Sequence, residues 1–130
     1  MDIVSKGGNF LLNVGPDGQG LFPPESVERL AAIGVWTRAN GESIYQVKAS
    51  PYDRPEWGRY TSKPGLLYAH VFDWPEDGKL EVHPEVKIKA ASLLTSSSDQ
   101  LEVEAGSTTI LLPKVAPDTI ATVIRIELAD

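Results

Sequence analysis

Residues 5–16 read SKGGNFLLNVGP, and a helical pattern follows over residues 25–40. Within the first stretch, residues 9–14 are mostly apolar and lie between turn-forming residues, which is typical of a strand buried on both faces. The Gly-rich loop at residues 15–20 and the helix complete one β/α unit. After about residue 43 this pattern stops. Because one such unit cannot bury both faces of its strand alone, the sequence indicates the tail of a larger protein.

The helix predicted over residues 25–40 has one apolar face. It follows Pro23-Pro24, where a missing N–H costs little, and Asn40-Gly41 predicts a left-handed cap at its end. A helix of this kind packs its apolar face against neighbouring structure. The face contains Val27, Leu30, Ala31 and Gly34, and it is widened by Ile33 and Trp36.

Short strand patterns follow a Pro-rich, charged linker at residues 49–56. Turn-forming residues separate them, and one such turn is predicted at residues 96–99. The prediction is a mainly β fold: an antiparallel β-sandwich at residues 57–130, preceded by one β/α segment at residues 1–48. The strand patterns cover residues 57–62, 66–74, 79–82, 86–94, 101–104, 108–112 and 120–128.

The last strand pattern shows the clearest alternation of side chains. One row contains Ile120, Thr122, Ile124, Ile126 and Leu128, and the other contains Val123, Arg125 and Glu127. This alternation predicts one buried face and one face in solvent.

The composition is that of a globular protein, with 42% hydrophobic and 23% charged residues. A net charge of −6 without a dense Lys/Arg cluster argues against nucleic acid and anionic membranes as partners. The apolar runs are too short for a transmembrane helix, and the first residues lack the pattern of a signal peptide. With no cysteine, the sequence excludes disulfides, thiolate nucleophiles and thiolate metal sites, and it leaves the compartment open.

Several segments together resemble glycoside hydrolase family 29, the α-L-fucosidases. Residues 4–16, the tripeptide ERL at residues 28–30 and the sequence NGESIY at residues 40–45 are similar to the end of that family's catalytic (β/α)8 barrel. The resemblance covers nearly the whole chain. The segments similar to the family's C-terminal domain are WGRYT at residues 57–61, YAHVFDWP at residues 68–75 and PDTIATVI at residues 117–124.

The resemblance implies a parent enzyme that removes terminal α-L-fucose from glycans with retention of configuration. Such an enzyme uses an aspartate nucleophile and a glutamate acid/base with carboxyl groups about 5 Å apart. In the family both residues lie upstream of the matched stretch, as do the histidines that hold the sugar. A (β/α)8 barrel also needs roughly 200 residues or more. We therefore expect this chain alone to be inactive, and the resemblance implies no cofactor.

Asn13 and Asp17 lie where the first predicted strand ends, which in a β/α barrel is the active-site face. One hypothesis makes them part of the wall of the fucose pocket. The alternative, which the residue types favour, is that they organise a Gly-rich turn by side-chain hydrogen bonds. The same loop lacks the Lys-Ser/Thr ending of a phosphate-binding loop.

Trp57 and Trp74 are candidate platforms on which a sugar ring could stack. The alternative is core packing, since large aromatic residues dominate cores and Trp74 continues the row of Tyr68 and His70. The chain's two histidines, His70 and His83, are separated by a turn and a strand, which is thin support for a metal site. No residue is therefore assigned to metal binding or catalysis.

Three functions remain from the sequence. The first is the C-terminal part of an α-L-fucosidase that braces the catalytic barrel, and it predicts exposed apolar surface where the barrel is missing. The second is a non-catalytic carbohydrate-binding module. The third is a complementation fragment that docks onto a separately encoded barrel. The expected partners are fucosylated glycans through the parent enzyme and the missing barrel, with a homo-oligomer as a further alternative.

Overall fold

The computed structural model describes residues 1–129, with the side chains of Ser97 and Ser98 left out of the description. The N-terminal third contains two α-helices, α1 (Asp2–Ser5) and α2 (Pro24–Asn40), and a 3-10 helix (Gly41–Ser43). The remainder is β structure, and the mainly β prediction is confirmed. The strands are β1 (Gly58–Lys63), β2 (Leu66–Val71), β3 (Lys79–Glu81), β4 (Ile88–Leu93), β5 (Ser96–Leu101), β6 (Thr109–Leu111) and β7 (Thr122–Leu128).

The strands form two antiparallel sheets. The larger sheet has the order β1-β2-β7-β4-β5, and the smaller one pairs β3 with β6. The last strand, β7, therefore lies in the middle of the larger sheet, between β2 and β4. Buried apolar residues from both sheets form one core cluster, which is the arrangement of a sandwich. The cluster contains Tyr60, Leu67, Ala69, Val71, Leu80, Val82, Val86, Ala91, Leu93, Ile110, Ile124 and Ile126.

The second face of the larger sheet is partly covered by other elements, in contrast to the predicted solvent face. The core face of this sheet meets the smaller sheet, whereas its second face meets residues 1–43. Val123, predicted to face solvent, is only 2% exposed, and Arg125 and Glu127 are partly covered. Ile120, predicted to be buried, is 76% exposed because β7 begins only at Thr122.

The predicted strand at residues 9–14 is not formed in this chain. These residues have no ladder partner, and Leu11 is 91% exposed. A strand that is apolar on both sides forms only where neighbouring strands pair with its edges and other elements cover its faces. Within the described residues no such neighbours are present, so only the helix of the predicted β/α unit is formed.

Two local predictions are also wrong. The predicted turn at residues 96–99 belongs to β5, which pairs with β4, and the chain reverses instead at residues 94–95. Gly41 has a φ of −59° and a ψ of −27°, so α2 ends without a left-handed cap and continues directly into the 3-10 helix. Over residues 1–129, no helix has both the length and the apolar character to cross a membrane.

Candidate functional site

Asp17 organises the loop that follows the extended stretch at residues 9–14. Its Oδ1 accepts hydrogen bonds from the backbone N–H of Gln19 at 2.8 Å and of Leu21 at 2.9 Å. Its own N–H donates to the carbonyl oxygen of Leu21 at 2.8 Å. These are the contacts of the turn-forming alternative. Asn13 is exposed on the stretch before the loop, and the assignment of both residues to a pocket wall stays a prediction.

The most conspicuous feature of the N-terminal third is its exposed apolar residues, which we call the apolar surface. Among the residues of α2, only Asn40 is buried. A shallow groove of about 370 Å³ runs along the helix beside Leu30, Ile33 and Tyr45. Soluble monomers rarely leave so many large apolar residues exposed in one region. The apolar surface contains Phe10, Leu11, Leu12, Leu21, Phe22, Val27, Leu30, Ile33 and Val35.

The end of α2 is held on the second face of the larger sheet by polar contacts, which we call the polar junction. Tyr68 donates a hydrogen bond of 2.6 Å to Oε1 of Glu42. The same oxygen lies 3.4 Å from Nε of Arg125. Burial, followed by the contact with Glu42, raises the pKa of Tyr68. One turn earlier in the helix, Nε1 of Trp36 donates to the carbonyl oxygen of Ala121 at 2.9 Å.

At the centre of the polar junction lie Ser43, Thr61 and His70, all with no exposed surface. Oγ1 of Thr61 donates to the carbonyl oxygen of Ser43 at 2.7 Å and lies 3.0 Å from Nε2 of His70. Because the single hydroxyl hydrogen of Thr61 is used for Ser43, Oγ1 must accept a hydrogen from Nε2. Nε2 of His70 therefore carries a proton, and burial lowers the pKa of the ring, which favours the neutral form with Nδ1 unprotonated. The sequence offers His70 only as a candidate metal ligand, and it does not predict this contact with residues 40–43.

Helix α1 contacts the same sheet through an ion pair. Nε of Arg59 on β1 lies 2.5 Å from Oδ1 of Asp2, and Lys6 binds the other oxygen at 2.8 Å. Lys6 first, and Arg59 second, lower the pKa of Asp2 to about 2. Residues 1–6 and residues 36–43 therefore contact the larger sheet mainly through hydrogen bonds and ion pairs.

Trp57 and Trp74 are partly exposed and both pack against the core cluster. Trp57 donates from Nε1 to the carbonyl oxygen of Glu81 at 3.0 Å, and its ring meets Tyr60 edge-on at 5.2 Å. Trp74 donates from Nε1 to the carbonyl oxygen of Pro113 at 2.9 Å. It does not continue the row of Tyr68 and His70, because β2 ends at Val71. Their role as sugar platforms stays a prediction.

Several acidic residues among those described are paired with cations. Glu127 and Asp2 both have a lowered pKa, Glu127 because Arg125 donates to it, whereas a general acid needs a raised one. Glu104 is paired with Lys79 at 2.7 Å. His83 stacks on Tyr52 at a centroid distance of 4.4 Å. In the part of the chain that the structure describes, no group of three His, Asp or Glu residues could hold a metal.

A family model described as Alpha-L-fucosidase matches residues 1–42 of this chain. Among curated proteins, the tissue alpha-L-fucosidase of Homo sapiens is 44% identical over 89 residues, which are 64% of this chain and 18% of that protein. The tissue alpha-L-fucosidase of Mus musculus is 34% identical over 139 aligned residues, covering 97% of this chain and 28% of that protein. The chain thus spans less than a third of the length of these relatives.

Solved structures match the whole chain. Alpha-L-fucosidase isoenzyme 1 from Paenibacillus thiaminolyticus superposes with a TM-score of 0.90 at 37% identity, covering 99% of this chain and 32% of that one. A GH29 alpha-L-fucosidase from Bacteroides thetaiotaomicron, a covalent intermediate trapped with 2-fluoro-fucosyl fluoride, superposes with a TM-score of 0.85 at 28% identity. This superposition covers 99% of this chain and 30% of the Bacteroides chain.

Proposed function

Because the chain belongs to the α-L-fucosidases of glycoside hydrolase family 29 and corresponds to their C-terminal part, we propose that it is the barrel-bracing portion of an exo-acting, retaining α-L-fucosidase. The parent enzyme would hydrolyse terminal α-L-fucose from fucosylated glycans. The observation that carries this proposal is the apolar surface, which lies within residues 1–42, the stretch that the α-L-fucosidase family model matches.

The proposed chemistry needs residues outside this chain. Retention requires a carboxylate nucleophile and a carboxylic acid on opposite sides of the anomeric carbon, about 5 Å apart. A relative trapped as a covalent fucosyl intermediate supports the retaining pathway. Among the described acidic residues, Asp2, Glu42, Glu104 and Glu127 are paired with cations, and under this proposal both catalytic carboxyl groups belong to residues outside this chain. By itself it is therefore inactive under this proposal.

We assign a separate role to each of three segments of the chain, on the basis of the contacts described above. Residues 1–48 complete the barrel, residues 49–56 link the two parts, and residues 57–130 form the bracing sandwich. The core cluster supports this division, because its members come from residues 60–126. The polar junction then fixes the end of α2 on the sandwich, while the apolar surface of α2 faces the rest of the barrel.

Complementation tests the proposal directly. We expect that a separately produced chain covering the first seven β/α units, taken from the 37% identical Paenibacillus enzyme, gains fucosidase activity when this chain is added. The two chains should co-elute in size-exclusion chromatography, and release of nitrophenol from a nitrophenyl α-L-fucoside gives the rate. The physical reason is that the apolar surface is covered only when both parts are present.

A matched pair of variants controls this experiment. Leu11→Asp places a charge in the apolar surface and should lower the restored activity at least about tenfold, which is roughly 1.4 kcal/mol of binding. Val115→Asp changes a residue that is 78% exposed on the sandwich and should leave the activity unchanged. If both variants complement as well as the original chain, the apolar surface does not contact the barrel and the proposal fails.

The second candidate is a carbohydrate-binding module with Trp57 or Trp74 as the platform, and the partial exposure of both indoles favours it. Titration with fucosylated oligosaccharides should then change the tryptophan fluorescence, and Trp57→Phe or Trp74→Phe should remove the change. We expect a flat response to millimolar sugar, because the Nε1 groups of both residues are used inside the protein. A saturable shift would favour the binding module instead.

A further inference from the structure

His70 occupies an unusual position for a group that can take up a proton. It is fully buried between the larger sheet and the 3-10 helix, at the centre of the polar junction. Nε2 contacts Thr61, but Nδ1 is buried and has no hydrogen-bond partner among the described residues. A second proton would therefore create an enclosed N–H without an acceptor, which is costly.

The charges around His70 also oppose a second proton. Arg59 lies directly opposite His70 in the pairing of β1 with β2. Arg125 lies opposite Tyr68, two residues along the same face. The acidic groups on the elements that cover this face, Asp2 and Glu42, are each already bonded to a cation. No carboxylate in the described junction is left to pair with a charged His70.

The polar junction can open without unfolding the sandwich. Its contacts are hydrogen bonds and ion pairs on the second face of the sheet, whereas the core cluster lies on the other face. Releasing the end of α2 uncovers apolar groups on the second face, chiefly Tyr68 and Val123, whereas the residues of the core cluster stay covered by the smaller sheet. Local opening is cheaper than global unfolding where few buried apolar contacts are broken.

We propose that the polar junction is an acid-opened contact: residues 40–48 stay docked on the sheet while His70 is uncharged, and they detach as His70 takes up a proton, with the sandwich still folded. This inference concerns contacts within the chain and does not rest on the proposed enzymatic role.

The direction and size of the effect follow from proton linkage. Burial is the main cause that lowers the pKa of His70 to about 3 in the docked state, against the raising effect of the Ser43 backbone contact. Once released, the imidazole regains an ordinary pKa near 6.5. The equilibrium constant for docking is therefore at its maximum above pH 6.5. It falls about tenfold for each pH unit below 6.5, down to pH 3. Between pH 7.5 and pH 5 the opening equilibrium should rise about 30-fold, while ordinary carboxyl groups stay ionised.

Hydrogen exchange of individual amides, measured by NMR and corrected for the intrinsic pH dependence of exchange, tests the proposal. The reporter for the junction is the N–H of Lys48, which donates to Ser62, and the reporter for the sandwich is the N–H of Leu94, which donates to Val123. The opening constant of Lys48 should rise about 30-fold from pH 7.5 to pH 5. That of Leu94 should stay constant.

The chain's other histidine supplies the control. His83→Gln should keep the pH dependence of Lys48, whereas His70→Gln, which retains a neutral N–H donor towards Thr61, should abolish it. An unchanged pH dependence in His70→Gln would overturn the proposal, as would a pH-independent Lys48 in the original chain. If His70→Gln fails to fold, the proposal is tested instead by the NMR chemical shifts of the His70 ring nitrogens in the original chain, followed as a function of pH. A His70 that titrates near pH 6.5 with Lys48 still protected would contradict the proposal.

Discussion

Gly58→Ala is expected to destabilise the chain strongly at 25 °C. A Cβ at residue 58 would overlap the carbonyl oxygen of His70 and would lie 3.0 Å from its carbonyl carbon. Both atoms belong to the backbone of β2, so no side-chain rotation can relieve the clash, and β1 must separate from β2. We expect a loss of at least about 3 kcal/mol in the free energy of unfolding, which is a large part of what a small domain has.

Urea denaturation followed by far-UV circular dichroism measures this loss. Gly34→Ala is the matched control, because its Cβ would meet only the flexible end of the Arg38 side chain at 3.4 Å. Alanine is also the better helix former, so the control should be neutral or more stable by up to about 1 kcal/mol. A Gly58→Ala chain with the midpoint of the original would show that β1 and β2 do not approach as described.

Ile124→Ala is the second substitution with a large expected effect. Ile124 has no exposed surface, and it pairs with Ala69 of β2 on one side and with Leu93 of β4 on the other. Truncation leaves a cavity between the two sheets, for which about 3–4 kcal/mol is the usual loss. The same denaturation experiment gives the value.

Ile120→Ala is the control for this cavity. The sequence pattern puts Ile120 and Ile124 in one row, but Ile120 is 76% exposed and precedes β7. Its truncation should change the free energy of unfolding by no more than about 0.5 kcal/mol. Equal losses at the two positions would mean that the row predicted from the sequence is buried throughout and that β7 begins earlier.

Local signals in the sequence were sufficient for the helix and for most strands. Pro23-Pro24 and the apolar spacing predicted a helix at residues 25–40, and α2 spans Pro24–Asn40. Alternation predicted the final strand, and the strand patterns at residues 57–62 and 66–74 correspond to β1 and β2, which Gly65 joins with a φ of +73°. These features depend on residues close together in the chain, which is why a sequence pattern reveals them.

The predictions were wrong where the structure depends on contacts between residues that are far apart in the chain. Residues 9–14 have the composition of a buried strand but form none here, because a strand also needs neighbours that pair with its edges. Val123 was assigned to solvent because alternation cannot show that residues 36–43 cover the second face of the sheet. The serines at the start of β5 favour a turn by residue type, and pairing with β4 overrides that preference.

In the candidate site, too, local contacts were predictable from the sequence and long-range contacts were not. The contacts of Asp17 are those that a Gly-rich loop predicts, since they lie within four residues. The exposed apolar surface follows from the resemblance to one end of a barrel, and its presence is confirmed. In contrast, Ser43 and Thr61 are 18 residues apart and His70 is a further nine away, so no sequence spacing predicted their contact.

The central position of β7 has a consequence for how the chain is made. Strands β2 and β4 both pair with β7, and neither pairs with the other. A ribosome must therefore synthesise and expose residues 122–128 before the larger sheet can close. Until then β2 and β4 each have an edge without its partner strand. Unpaired strand edges are sites where chaperones bind nascent chains and where aggregation begins. A premature stop codon anywhere before residue 122 would remove the middle of the sheet, and the truncated product would be degraded.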